Sequence, residues 1–182
     1  MLIDSHCHLD SEQFDQDRES VIERALAAGV THMVAIGTGN GPPDLEAGIR
    51  LADRYEAFYA TVGVHPHDAA KATDEVFKNL SSLARHPKVV AIGEIGLDYH
   101  YDFSPREVQR AVFIQQLQLA AEAKKPIVIH TREAWDDTIS VIREHWDANL
   151  GGIMHCFSGN PAQAQQALDV GFYLSFGGFV TL

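Results

Sequence analysis

Met1-Leu2-Ile3-Asp4-Ser5-His6-Cys7-His8 opens the chain with a short apolar run that ends in two histidines one residue apart. Alternate side chains of a strand share a face, so both imidazoles are expected to point one way, with Asp4 alongside and Cys7 opposite. Paired neutral imidazoles chelate zinc, iron, manganese and similar ions. The run also bears on the fold, because no glycine-rich phosphate turn follows it, as a dinucleotide-binding open sheet would require. Ten histidines in 182 residues make an isolated His-x-His motif a weak signal, so the rest of the chain must decide.

Working outward, strand-like and helix-like segments alternate. Apolar runs fall at Leu2–Asp4, His32–Gly37, Phe58–Val64, Val89–Gly93, Pro126–His130, Gly152–His155 and Phe172–Phe176. Several lack polar alternation, as strands buried on both faces of a parallel sheet do. Between them, Val21, Ile22, Ala25 and Leu26 form one helical stripe closed by Gly29, and Leu45, Ile49 and Ala52 form another. Ser104-Pro105-Arg106-Glu107 reads as a capping box with proline at the first helical position, leading into Val108, Val112, Phe113, Leu117 and Ala120. Further helices are expected near Glu133–His145 and after Asn160-Pro161, with Asn160 as N-cap.

Seven strands with intervening helices and no linker predict one α/β domain over residues 1–182, a TIM-type (β/α) barrel. A doubly wound open sheet is the competing architecture. The barrel is preferred because ligand-type residues end several different strands, and in a barrel those ends converge on one face. His6 and His8 end the first strand, Glu94 the fourth, His130 the fifth and His155 the sixth. Glu and His are seldom buried without a partner. Glu94, near the centre of the mouth, can bridge two cations, with His6 and His8 completing one and His130 and His155 the other. Two such ions, Mg, Mn or Zn, activate a water and stabilise the attacking and leaving oxygens of phosphoryl transfer. Open positions and mixed N/O ligation suit a hydrolytic centre better than a closed structural zinc.

Composition narrows the class. A hydrophobic content of 46% with 21% charged residues is globular. No run is long enough to cross a bilayer, and an acidic residue at position 4 argues against a signal peptide. Two cysteines, Cys7 and Cys156, are too few for a disulfide framework and read as small buried apolar residues, which places the chain in the cytosol. A net charge of −11 excludes a broad basic face for duplex DNA but allows nucleic acid in a small cleft whose cations invert the local field.

The segments around His6 and His8, Gly63-Val64-His65-Pro66-His67, Gly93-Glu94-Ile95-Gly96-Leu97-Asp98-Tyr99, His130-Thr131-Arg132 and His155-Cys156-Phe157-Ser158-Gly159 resemble, in the same order, the TatD family of metal-dependent deoxyribonucleases, amidohydrolase-like TIM barrels. The resemblance implies that His6, His8, Glu94, His130 and His155 are metal ligands. It further implies divalent-metal-dependent hydrolysis of DNA, often from the 3′ end of single strands. It also implies an eighth strand bearing an acidic ligand in a Glu-Thr-Asp-type motif. The only Thr-Asp pair here, Thr73-Asp74, lies before a helix, and the sequence stops at Leu182. The expectation is therefore a barrel incomplete after its seventh strand, with the first and seventh strands as open edges.

Around this centre, His65 and His67 are candidates for substrate or phosphate contact, and Arg132 for a guanidinium clamp on a phosphate oxygen. Asp98 and Tyr99 fit ligand orientation or loop packing equally. Asp4 is expected to support the site from behind, and His32, His86, His100 and His145 to lie at the surface or at caps. Competing functions are hydrolysis of an amide or aminoacyl ester on the same centre, and an inactive chain that only binds metal.

Overall fold

In a flat sheet with about 4.8 Å between neighbouring strands, the first and seventh strands would lie roughly 29 Å apart. Here the hydroxyls of Ser5, in the first strand, and Ser175, just past the seventh, are 3.1 Å apart, so the sheet curls until its two edges approach. The computed structural model describes residues 2–39 and 41–181; Met1, Asn40 and Leu182, and the side chains of Phe179 and Val180, lie outside this description.

The elements run β1 (Leu2–Cys7), α1 (Arg18–Ala27), β2 (Val30–Ile36), α2 (Ala47–Arg54), β3 (Phe58–Val62), α3 (Asp74–Leu83) and β4 (Val89–Asp98). They continue as α4 (Arg106–Ala123), β5 (Ile127–Arg132), α5 (Trp135–His145), β6 (Gly152–Met154), α6 (Pro161–Asp169) and β7 (Phe172–Leu174). The strands pair in parallel in strict chain order from β1 to β7. That order has no reversal point, which excludes the doubly wound alternative and leaves a curled, incomplete (β/α) barrel. Its edges are β1 and β7, where Leu2, Ile3 and Tyr173 are exposed.

Phe58, Phe113, Met33, Ile92, Leu117, Ile127 and Ile129 are fully buried between sheet and helices. Gly29, at φ +92° just beyond α1, ends that helix in the left-handed conformation that only glycine adopts cheaply. Asn160 and Gln163 form a reciprocal capping box at α6, as expected from Asn160-Pro161.

Three local expectations need correction. The hydroxyl of Ser104 makes no cap for α4, which begins at Arg106 with Pro105 as its N-cap residue. Instead the buried hydroxyl donates to the His67 carbonyl and accepts from the Ala70 N–H, which ties the loop after β3 to the start of α4. Cys156 is exposed rather than buried; its φ of +45° puts it in a turn where strand alternation no longer applies. The fourth strand runs on past Gly93 to Asp98, so Glu94 sits inside it rather than at its end. The glycines within this strand serve close packing. A Cβ at Gly96, where φ is +141°, would run into the backbone carbonyl of His130 on β5.

Candidate metal centre

Two irregularities of the sheet aim the central side chains. Gly93 pairs with Val128 and Ile95 with Ile129, so Glu94 is the extra residue of a bulge in β4. A second register shift lies between Asp4 and Cys7 of β1, the interval that contains His6. Bulges of this kind turn a side chain out of strict alternation. Both residues meet in the barrel mouth, with His6 Nε2 3.3 Å from Glu94 Oε2.

Glu94 is only 4% exposed and is ringed by imidazoles. His130 Nδ1 lies 2.8 Å from its Oε1, His155 Nε2 lies 3.3 Å from the same oxygen, and His65 Nε2 lies 3.7 Å away. Burial pushes the Glu94 carboxyl up, but the imidazoles of His130, His6 and His65 and the nearby His155 outweigh it and hold the group well below the usual carboxylate range. His8 joins through His6, their Nε2 atoms 3.1 Å apart. The His6 and His155 rings stack with centroids 3.6 Å apart, whereas His130 and His155 are 6.4 Å apart. The donor atoms thus fall into two groups within 4.8 Å, His6–Glu94–His155 and His65–His67–His130.

Burial pushes His155 down to about 4 and also lowers His8 and His65, so these rings are neutral at pH 7, the form that ligates metal. His130 moves the other way: burial lowers it, but the adjacent Glu94 and Asp98 raise it further. A metal suits this arrangement on the structure's own terms. Two imidazole nitrogens 3.1 Å apart can share only one proton, and His6 Nδ1 is buried without a hydrogen-bond partner among the described residues.

Asp98 has a larger place than its sequence context suggested. Fully buried at the end of β4, its Oδ2 lies 2.9 Å from His67 Nε2 and 3.0 Å from His130 Nε2. Its Oδ1 accepts the N–H groups of His100 and Tyr101. Burial pushes the carboxyl up, but the Tyr101 N–H and the His67 and His130 rings bring it down to about 2. Gln109 accepts from the Asp98 N–H and donates to its carbonyl, while Gln116 does the same for Val64, the residue before His65. These two buried glutamines of α4 were missed by sequence reasoning; their one signal is a seven-residue spacing on the helix face that carries Val112 and Phe113.

Other expectations fare unevenly. Asp4 is exposed, and its carboxylate accepts the His6 backbone N–H at 3.0 Å instead of facing the interior. Arg132 is exposed, with its guanidinium carbon 4.8 Å from the Tyr101 ring centre. A cleft of about 550 Å³ opens beside it and extends past Trp135 and Phe157 to His155.

Fold and site together define a class, a (β/α)-barrel protein with a histidine–carboxylate centre able to hold metal. Residues 3–182 match the family model described as TatD related DNase, and the chain belongs to that family of metal-dependent hydrolases. It is 45% identical over 181 residues to the uncharacterized metal-dependent hydrolase YabD of Bacillus subtilis, covering 100% of this chain and 70% of that protein. It is 38% identical over 179 residues to the 3′-5′ ssDNA/RNA exonuclease TatD of Klebsiella pneumoniae, covering 98% of this chain and 67% of the relative. The crystal structure of YjjV, a TatD homologue from Escherichia coli, superposes with a TM-score of 0.90 at 33% identity, over all of this chain and 70% of that one. An organophosphorus hydrolase mutant shares the fold, with a TM-score of 0.69 at 12% identity. No helix among the described residues is long and apolar enough to cross a membrane.

Proposed function

We propose that this chain is a divalent-metal-dependent nuclease that removes nucleotides from the 3′ end of single-stranded DNA. The observation that carries this reading is Glu94, a buried carboxylate with both oxygens facing imidazoles from different strands. The names of the TatD relatives supply the substrate class. His6, His8, Glu94, His130 and His155 would hold two divalent ions, Mg, Mn or Zn. Such ions supply Lewis-acid polarisation of a phosphoryl oxygen and lower the pKa of a water. The chain's own residues do the rest. Asp98 fixes the orientation of His130 and His67. His65, His67 and Arg132 line the approach for a phosphate, and Arg132 has no carboxylate paired with it among the described residues to compete for it. Residues 1–182 form a single domain of this hydrolase, and a cytosolic setting agrees with two free cysteines.

The test is cleavage of 3′- and 5′-labelled single-stranded oligonucleotides with Mg²⁺ or Mn²⁺, beside Glu94→Ala. Progressive, metal-dependent shortening from the 3′ end that is lost in the variant is the expected outcome. Intact DNA together with metal-dependent release from an aminoacyl ester or amide would overturn the nuclease reading in favour of the acyl chemistry.

A further inference from the structure

We infer that Tyr101 and Phe103 form a stacking platform for the 3′-terminal base of the strand, set beside the metal centre by His67. The inference rests on the nuclease reading above and adds to it a base-binding subsite.

The loop between β4 and α4 leaves two large aromatic side chains in water, Tyr101 at 47% and Phe103 at 66% exposure. Burying such rings is favourable, so a pair left open at the rim of a site is available for a ligand. The two rings are nearly parallel, 14° between planes with centroids 5.2 Å apart, which is an offset stack with room to be extended. The Arg132 guanidinium adds a cation at 4.8 Å from the Tyr101 ring. In a chain of net charge −11, a cation without a carboxylate partner among the described residues is a local foothold for a polyanion. Aromatic rings with an adjacent arginine are what single-stranded nucleic acid uses, with bases on the rings and phosphate near the cation.

The platform is braced and tied to the site. The N–H groups of His100 and Tyr101 donate to Asp98 Oδ1 at 3.0 and 2.9 Å, and Arg106 grips Asp102 with two hydrogen bonds of 2.8 and 2.7 Å. His67 stands edge-on to both aromatic rings, 5.3 Å from Tyr101 and 4.9 Å from Phe103. The same imidazole bonds to Asp98, whose carboxylate also holds His130. The rings therefore border the candidate centre, with His67 between them and Asp98. Stacking accepts any base, since every base has a π-face, so the subsite senses the presence of a base and not its identity.

The experiment measures binding by the intact chain with Mg²⁺, using two single-stranded oligonucleotides whose last linkage is a phosphorothioate to slow hydrolysis. One ends at its 3′ side in 2-aminopurine, the other in an abasic sugar. The proteins are wild type, Tyr101→Ala, Phe103→Ala and Phe103→Trp. The expected result is quenching of 2-aminopurine on binding to wild type, with affinity about 5- to 150-fold weaker in each alanine variant and retained in Phe103→Trp. The abasic strand should bind wild type more weakly by a similar factor and be indifferent to Phe103→Ala. Equal binding of both strands by all four proteins, or 2-aminopurine that stays bright, overturns the platform and leaves the nuclease reading standing. Failure of wild type to bind either strand overturns both together.

Discussion

Asp98 and His130 share a 3.0 Å contact between Oδ2 and Nε2, while the other nitrogen of the same ring sits 2.8 Å from Glu94. One imidazole thus joins two buried carboxylates, and its orientation depends on both. Asp98→Asn removes one anion while keeping the shape. The expected outcome is a ~10- to 100-fold loss of Mn²⁺ affinity by isothermal titration calorimetry, the usual scale for a residue that orients a ligand. Affinity equal to wild type would show that Asp98 merely packs the loop.

The same carboxyl makes an acid-stability prediction for metal-free protein. Its native value of about 2 lies below the ordinary 3.8, so the unfolded chain takes up its proton first as pH falls. The stabilisation is complete above about pH 4 and disappears as the pH drops towards 2. Urea midpoints of wild type and Asp98→Asn should be separated at neutral pH and converge over that window. A separation that stays constant down to acid pH would contradict the assignment.

Glu94→Ala removes the one carboxylate of the His6–Glu94–His155 group, which also faces His130. Tightly bound divalent metal should fall by about half or more, measured by elemental analysis after dialysis, and hydrolysis should vanish with it. Full metal content in this variant would rule out Glu94 as a ligand.

Gln116 holds both backbone groups of Val64 from the body of α4, at 2.7 and 3.0 Å. Gln116→Leu keeps the volume and orphans a buried N–H and a buried carbonyl. Each unsatisfied group costs ~1–3 kcal/mol, so a clear drop in urea stability is expected. No change would mean that the segment after β3 relaxes to find other partners.

Gly96→Ala and Gly29→Ala both place a side chain at positive φ, but only the first meets an obstacle, the His130 carbonyl. Gly29→Ala should cost ~1–2 kcal/mol of conformational strain in thermal unfolding. Gly96→Ala should cost considerably more, or prevent folding, because β4 and β5 cannot separate without breaking their ladder. Equal effects would show that the clash relaxes freely.

The sequence made the strand centres legible, because Ile127-Val128-Ile129 and its counterparts are short apolar runs too hydrophobic for anything but a buried sheet. The histidines at their ends were legible for the same reason, as residues out of character with their neighbours. What remained hidden was whatever depends on distant partners. The apolar run stops at Gly93, so Glu94 seemed terminal and Asp98 fitted loop packing as well as ligand orientation, although both belong to β4. A glutamine on a helix usually faces water, and nothing near Gln109 or Gln116 in sequence announces the backbone groups they serve. Ser104 has the right spacing from Glu107 for a cap, yet a carbonyl 37 residues away claims its hydroxyl. The grouping of His155 with His6 follows from the curl of the sheet, which no local pattern encodes.

The centre draws on strands of unequal security. Glu94 and His130 stand on β4 and β5, deep inside the sheet, whereas His6 stands on β1 at its margin, with Leu2 and Ile3 exposed behind it. Opening of a protein proceeds from its margins inward, through units of differing free energy. Amide exchange should therefore be slowest along β4 and β5 and much faster along β1. The centre then has a hard half and a soft half: fraying at the rim can detach His6 and His8 while the Glu94–His130–Asp98 chain stays assembled, and an ion held between His6 and Glu94 would act as a clasp on the outermost strand.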